Sequence, residues 1–372
     1  MKQPRFVDGL GMHFHIVRET SEFLALEEEW DRLWRTCSGQ SYESFYFCRQ
    51  CLVNNSSAED VRLWCLTGRR NGRLALVWPL VITRQGIWKV VRPLAAGAAD
   101  YTVLLVEAAT ATDMEEDIAA AWKIVRSRSR ADILSLPYIR EDRVLYSHLP
   151  PLKLLSLATT DHAPLARLRN ETSWETFSLG LRSKANKRPK DLIRRIGREG
   201  SVAMRIYGRE HPRQCEELVD WMLAQKAEWA RRTGKSGHWI ASTDYRNLLV
   251  SLLTLAPPHN PHLVFVLTLN EKPIAACIAG VGQGVAYGII TAYDDAYAKF
   301  SPGVAILEYQ IRWAIDLRID LDLGVGTETY KLFWSKDNLV RTLSLTIPLS
   351  TLGSAALLAK RIISLKDRGK GK

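Results

Sequence analysis

Nowhere in the sequence does an apolar stretch reach the ~18–20 residues that a membrane span requires. The longest apolar run, residues 74–83, has the length of a strand. Cysteine is scarce, with six in 372 residues. Only Cys48 and Cys51 have ligand-like spacing, and a lone C-x-x-C lacks the second pair that a structural zinc needs. It sits in an apolar helical start, so buried, reduced thiols are expected there. The eight histidines make no H-x-x-H or HExxH pattern, and no metal is assigned. No Ser-His-Asp or Cys-His arrangement suggests a covalent nucleophile. The first eight residues, Met1 to Asp8, lack the apolar core of a signal peptide, and a cytoplasmic protein is expected. No short internal period points to a solenoid.

A chain of this length accommodates two ordinary domains with a large buried core. Its 47% hydrophobic and 24% charged residues are those of a globular protein. The net charge of +11 invites a nucleic-acid reading, but its distribution does not. Residues 182–198 carry a net +7 and residues 360–372 a net +5, which leaves the remainder at −1. A neutral body with one basic segment and one basic tail fits a local anion site, not a broad nucleic-acid footprint. DNA is therefore not expected as a partner.

The apolar periodicity divides the chain into two similar halves. In the first, residues 24–35 read as an amphipathic helix carrying Leu26, Trp30 and Trp34. Residues 61–67 and 74–83 read as strands joined by a turn ending Asn71-Gly72. Further strands follow at 87–91 and 102–106, a helix at 114–127, and strands at 132–136 and 152–157. In the second half, strands at 262–269, 273–281 and 285–293 repeat the order, after helices at 214–232 and 244–255. A polar stretch at 158–169 reads as the connection between halves. The expected organisation is 1–165, 166–350 and a basic helical tail, 351–372. The expected fold class is α/β, with two mixed sheets flanked by helices.

The chemistry concentrates near the end. Tyr293-Asp294 closes a strand, and Ser301-Pro302-Gly303-Val304 opens an apolar helix. The first N–H groups of such a helix have no internal partner and point at whatever lies there. Pro302 suits the first helical position, and Gly303 lets a ligand approach the backbone. These four residues are the candidate carrier site, although Ser and Pro also start ordinary capped helices. A second strand then leads into Asp322-Leu-Gly324-Val-Gly326-Thr-Glu328-Thr-Tyr330-Lys331. If the two strands are parallel neighbours, Tyr293, Asp294, Glu328 and Tyr330 converge where open α/β sheets bind ligands. The plainer alternative is that Asp294 caps a turn and Glu328 is a solvated loop carboxylate. In the basic segment, Lys184, Lys187 and Arg188 precede the helix and are candidates to grip substrate phosphates. Trp229 and Trp239 are candidates to line a groove for sugar rings. Residues 355–368 form a basic helical pattern with Leu358, Ile362 and Leu365 on one side. That pattern fits peripheral contact with an anionic membrane or simple docking on the protein.

Five segments carry a family resemblance. They are Ser183-Lys-Ala-Asn-Lys-Arg-Pro-Lys190, Tyr293-Asp294, Phe300-Ser-Pro-Gly303, Asp322 through Lys331 and, more weakly, Gly97-Ala-Ala-Asp100-Tyr101. Across most of residues 25–345 the chain resembles the CelD-like acetyltransferases associated with polysaccharide synthesis. These belong to the GNAT (GCN5-related N-acetyltransferase) superfamily and resemble the Fem-type peptidyltransferases in having two GNAT-like halves. The resemblance implies a tandem GNAT-like fold and acyl-CoA (acetyl-CoA) as co-substrate. It further implies N-acyltransfer to an amine on a small molecule or glycan precursor. It makes Glu328, Tyr293, Asp294 and Tyr330 the catalytic candidates, and places Asp100 and Tyr101 at the border of the cleft. Lys331, in the Fem-like Tyr330-Lys331-Leu-Phe-Trp334 segment, would neutralise a phosphate. Where the wider superfamily has Arg/Gln-x-x-Gly-x-Gly/Ala, this chain has Lys299-Phe-Ser-Pro-Gly-Val304. The donor is thereby left open between coenzyme A, a carrier protein and aminoacyl-tRNA. A Fem-like tRNA-dependent transferase and a non-catalytic subunit of a polysaccharide-synthesis complex are the alternatives.

Overall fold

A computed structural model describes residues 6–7, 11–55, 60–151, 155–181, 189–234 and 238–369. In chain order the strands are β1 (Phe6–Val7), β2 (Met12–Val17), β3 (Val61–Leu63), β4 (Cys65–Arg70), β5 (Arg73–Trp78), β6 (Leu80–Gln85), β7 (Trp88–Pro93) and β8 (Leu105–Val106). They continue as β9 (Ile133–Arg140), β10 (Leu157–Ala166), β11 (Val202–Tyr207), β12 (His262–Leu269), β13 (Lys272–Val281), β14 (Val285–Tyr293), β15 (Asp320–Asp322) and β16 (Leu339–Pro348). The helices are α1 (Thr20–Leu24), α2 (Glu27–Thr36), α3 (Phe45–Asn55), α4 (Ala111–Arg128), α5 (Val144–Ser147) and α6 (Trp174–Leu179). They continue as α7 (Pro189–Ile196), α8 (Pro212–Thr233), α9 (Thr243–Thr254), α10 (Pro302–Asp316), α11 (Thr329–Trp334) and α12 (Thr351–Gly369).

The chain forms two compact units that are not contiguous halves. Met1–Cys37, Asn55–Asp161 and Arg341–Lys372 make the first, and Ser38–Asn54 and His162–Val340 the second. The tail thus belongs to the first unit, and α3 to the second.

The first unit holds two sheets. One has the order β1-β2-β4-β5-β8 and is antiparallel throughout. In the other, β16, β9, β7, β6 and β3 lie side by side, and β7 and β9 are parallel. The apolar run 74–83 is not one strand, as its hydrophobicity suggests, but two, β5 and β6, in different sheets. Pro79 lies between them and cannot donate to a ladder. Asn71 and Gly72 turn between β4 and β5 with φ of 51° and 80°, the left-handed values of a tight hairpin. Around α4 the core gathers Phe14, Trp64, Trp78, Ile118, Trp122, Val125 and Leu136.

The second unit has one mixed sheet, β11-β12-β13-β14-β15-β10. All its neighbours are antiparallel except β14 and β15, which α10 connects. Successive residues of β13 face opposite ways. Ala276 and Ile278 meet Val219 and Met222 of α8 and Leu249 of α9. Ala275, Cys277 and Ala279 meet Ala305 and Ile306 of α10 and Leu192 of α7. The polar stretch 158–169, expected as a connection, is mostly strand β10. Its Thr159 and Thr160 are β-branched and suit a half-exposed strand despite their polarity. Of the strand expected at 152–157, residues 152–154 lie outside the described residues.

Candidate functional site

Strands β14 and β15 pair only at one end. The register runs Val285 with Asp320, Ala286 with Leu321 and Tyr287 with Asp322. Beyond Tyr287, β14 continues to Tyr293, while the chain after β15 follows β10 instead. The Leu323 N–H donates to the Pro164 carbonyl at 3.0 Å, and the Gly326 N–H to the His162 carbonyl at 2.9 Å. Gly324 and Gly326, with φ of 74° and 108°, permit that departure. A bulge at Ile289, where the β13 register jumps between Ile278 and Ala279, bends β14 further. The result is a wedge between β14 and the segment 323–334.

The α10 start lies just past the β14 end of this wedge. Asp294 accepts the Ala296 N–H at 2.9 Å and caps the 3-10 turn Asp295–Phe300. That turn is tied to α8 by an Arg232–Asp295 ion pair. Ser301 then adopts a left-handed conformation, φ 52° and ψ 53°, and its side chain does not cap the helix. No acidic residue occupies the first turn. Phe300 is buried, with the Lys299 ammonium 4.7 Å and the Arg195 guanidinium 6.0 Å from its ring centre. Pro302 has no N–H, and Val304 and Ala305 donate theirs to the Ser301 carbonyl at 3.0 and 3.2 Å, so Gly303 supplies the open N–H of this helix start, next to the Phe300 ring that carries the two cations. The first unit supplies a contrast. Its helix α4, which likewise precedes the second of two parallel strands, is capped by its own Thr110 Oγ1, which accepts the Asp113 N–H at 3.1 Å. A carboxylate in that first turn repels an anion.

On the other side of the wedge, α11 presents Glu328, Tyr330 and Lys331. The Lys331 ammonium is buried, donates to the Val325 carbonyl at 2.7 Å and pairs with Glu328 Oε2 at 3.1 Å. It braces the glycine turn from beneath. Tyr330 is 41% exposed, yet partial burial of its hydroxyl, then the Glu328 and Cys277 charges, push it up to about 12, so it keeps its proton at neutral pH. Tyr293 is exposed. Trp229, on α8, is half-buried under the Lys226 ammonium, 5.1 Å from its ring centre. Tyr101 is fully buried in the first unit beneath Arg140, whose guanidinium lies 4.9 Å from its ring, and Asp100 is half-buried. Lys184, Lys187 and Arg188 lie outside the described residues, as does the side chain of Trp239.

Several polar groups carry no sequence signal. Thr291 Oγ1 donates to Cys277 Sγ at 3.1 Å, and the Gln310 amide of α10 lies beside the same thiol. Burial holds the Lys226 ammonium below its ordinary range, with Cys277 opposing that shift and Lys331 adding to it. None of these residues stands out from its neighbours in the sequence, and only the fold collects them. Arg195 was not singled out for a similar reason. A cation in a charge run is told apart only by where its helix packs.

The acetyltransferase (GNAT) domain family matches residues 183–332, the segment that contains α7, the wedge and the α10 start. Residues 183–332 therefore match a GNAT acetyltransferase domain, and the chain has a tandem GNAT-like α/β fold. No curated protein matches its sequence. Solved structures share the fold at low identity. The C-terminal domain of a protein described as a lysylphosphatidylglycerol synthetase from Agrobacterium fabrum has a TM-score of 0.55 at 11% identity, over 92% of this chain and 96% of that one. FemX gives 0.55 at 9% identity, over 90% and 96%. L-PGS from Bacillus licheniformis gives 0.52 at 13% identity, over 91% and 96%. Among the described residues, no helix is long and apolar enough to cross a membrane.

Proposed function

We propose that the second unit transfers an acyl group from acyl-CoA to an amine of a sugar or polysaccharide precursor. The observation that carries the donor half is the uncapped start of α10 at a wedge between two parting parallel strands. The backbone N–H of Gly303, with Lys299 and Arg195, would hold a pyrophosphate. The free edge of β14 from Gly288 to Tyr293 would lie along the acyl arm. Acyl-CoA supplies an activated thioester, so no enzyme nucleophile is needed. Glu328, directly or through water, would take the proton from the attacking ammonium. Tyr330, protonated at neutral pH, would return one to the departing thiolate. Asp294 and Lys331 act by positioning, the first through the turn before α10 and the second through the glycine turn. The sugar acceptor rests on the resemblance to CelD-like proteins and on Trp229, whose half-buried ring suits a sugar face. The similarity to FemX and to lysylphosphatidylglycerol synthetases extends to the fold alone, so a tRNA-linked donor is tested together with acyl-CoA.

The experiment is a thermal-shift and calorimetric panel with acetyl-CoA, longer acyl-CoAs and free CoA. A ligand of the folded state at a hundred times its dissociation constant adds ~2.7 kcal/mol of stability. The same panel is run on Gly303→Asp. A Cβ at Gly303 meets only Tyr293 Cδ1, at 3.5 Å, an ordinary contact, so the fold tolerates the change. The parent should respond to acyl-CoAs and the variant should not. A parent that ignores every acyl-CoA but binds aminoacyl-tRNA would replace this donor with the Fem-like one. Release of CoA thiol on adding amino sugars, and not simple alkylamines, tests the acceptor.

A further inference from the structure

Helix α12 divides its apolar residues between two opposite faces. On one, Leu357 is buried against Val90 and Ile133, with Trp88 and Ala356 packed around them. Gly353 lies one turn earlier on the same face, so close that a Cβ there would overlap the Asp132 carbonyl. The helix is therefore docked on β7 and β9 of its own unit. At about 100° per residue, Leu352, Ala355, Leu358, Ala359 and Ile362 fall within an arc of about 120° on the opposite face. All five are exposed, Leu358 and Ile362 each at 46%. An arc this wide is the apolar stripe of an amphipathic surface helix, and the protein's own core leaves it uncovered.

The charge that adjoins it identifies what covers it. Residues 360–372 hold six Lys/Arg and one Asp, and exposed Lys360 and Arg361 lie about 80° and 60° outside the two edges of the apolar arc. The hairpin on which α12 docks adds exposed Ile87, at 69%, between exposed Arg84 and Lys89. A second copy of this chain would bring the same cations against each other. A nucleic acid would leave the leucine and isoleucine in water. An anionic lipid surface satisfies both halves, taking the apolar arc below its headgroups and the cations among its phosphates. We propose that α12 seats the enzyme peripherally on an anionic bilayer, its Leu352–Leu358–Ile362 face in the interface. This goes beyond the acyltransfer reading and does not depend on it.

The test is flotation of the full chain with phosphatidylglycerol/phosphatidylcholine vesicles and with phosphatidylcholine vesicles alone, at two salt concentrations. The parent should float with the anionic vesicles, not with the neutral ones, and less at high salt. L358Q/I362Q changes two exposed positions, so it should keep the parental melting temperature and weaken binding at least tenfold. K360E/R361E keeps the arc and should abolish the preference for anionic vesicles, which guards against misfolding of the first variant. No flotation of the parent, or flotation unchanged in both variants, overturns the proposal. So does a parental dimer in sedimentation that L358Q/I362Q converts to a monomer, because the face would then belong to a second copy. Acyl-CoA binding is measured alongside, and its presence or absence leaves the flotation result standing.

Discussion

Lys331 shows what one residue in a sequence can and cannot disclose. Its place after Gly324-Val-Gly326 marks it as important, but not how. Its ammonium closes on the Val325 carbonyl, six residues back, because two glycines turn the chain over it. A charge expected at a phosphate is thus already occupied within its own turn. Lys331→Met should leave the Val325 carbonyl without its donor and cost about 1–3 kcal/mol of stability by urea unfolding. A phosphate ligand would instead raise the Michaelis constant for donor with stability unchanged. Glu328 was equally visible, and its 57% side-chain exposure leaves it open to water despite the Lys331 pair. If it serves as the base, Glu328→Gln lowers kcat most at low pH, where hydroxide cannot substitute. A parental kcat over the whole pH range removes it from the chemistry. Lys226, Cys277 and Gln310 were invisible, because nothing in a single helix or strand announces which of its polar residues the fold brings together.

At the level of elements, legibility followed periodicity and turns. Strands β12, β13 and β14 were read to within a residue, since alternation or continuous apolarity ends at the Asn270-Glu271 turn and at Gly282. Strand β10 was missed because its outward residues are polar and its inward ones few. The break at Pro79 was hidden by the hydrophobicity on both sides. The α12 helix was expected with Leu358 and Ile362 on one side, and that side is exposed; the docking contact, made by Gly353 with Leu357, had no signal in the sequence. A glycine that permits close approach has no signature in one sequence. Gly353→Ala should press α12 off Asp132 and cost about 1–3 kcal/mol, lowering the melting temperature while acyl-CoA binding persists. An unchanged melting temperature would mean that the docking contributes nothing to the first unit.

The molecule as a whole was legible as two α/β repeats but not as two interleaved units, because the excursion of 38–54 into the second unit depends on long-range packing. That excursion has a consequence for acid stability. Tyr46 and Phe47, from the excursion, stack their rings 5.7 and 5.9 Å from His262, which is fully buried at the start of β12. Its Nδ1 faces the Asn260 carbonyl at 3.2 Å, and its Nε2 has no hydrogen-bond partner among the described residues. Burial pushes this imidazole down to about 4. Above its ordinary value near 6.5 it is neutral in both folded and unfolded chains and contributes no pH dependence. Between 6.5 and about 4 the unfolded chain takes up a proton that the folded one refuses, so stability falls with pH, by roughly 3 kcal/mol in all. Below about 4 that slope ends. Glu308, raised by burial, returns some stability to the second unit in acid. In the first unit, Glu29 is held down by Arg69 and loses its contribution only as pH falls through the carboxylate range. The second unit should therefore loosen first. Hydrogen exchange at pH 7 and pH 5 should show protection falling in β12 and β13 while the first unit's β4 and β5 hold theirs. His262→Gln keeps a polar side chain of similar reach and removes the titration, so its exchange should change little between the two pH values. Equal loss of protection in both units, or an unchanged slope in that variant, would show that His262 does not govern the acid response.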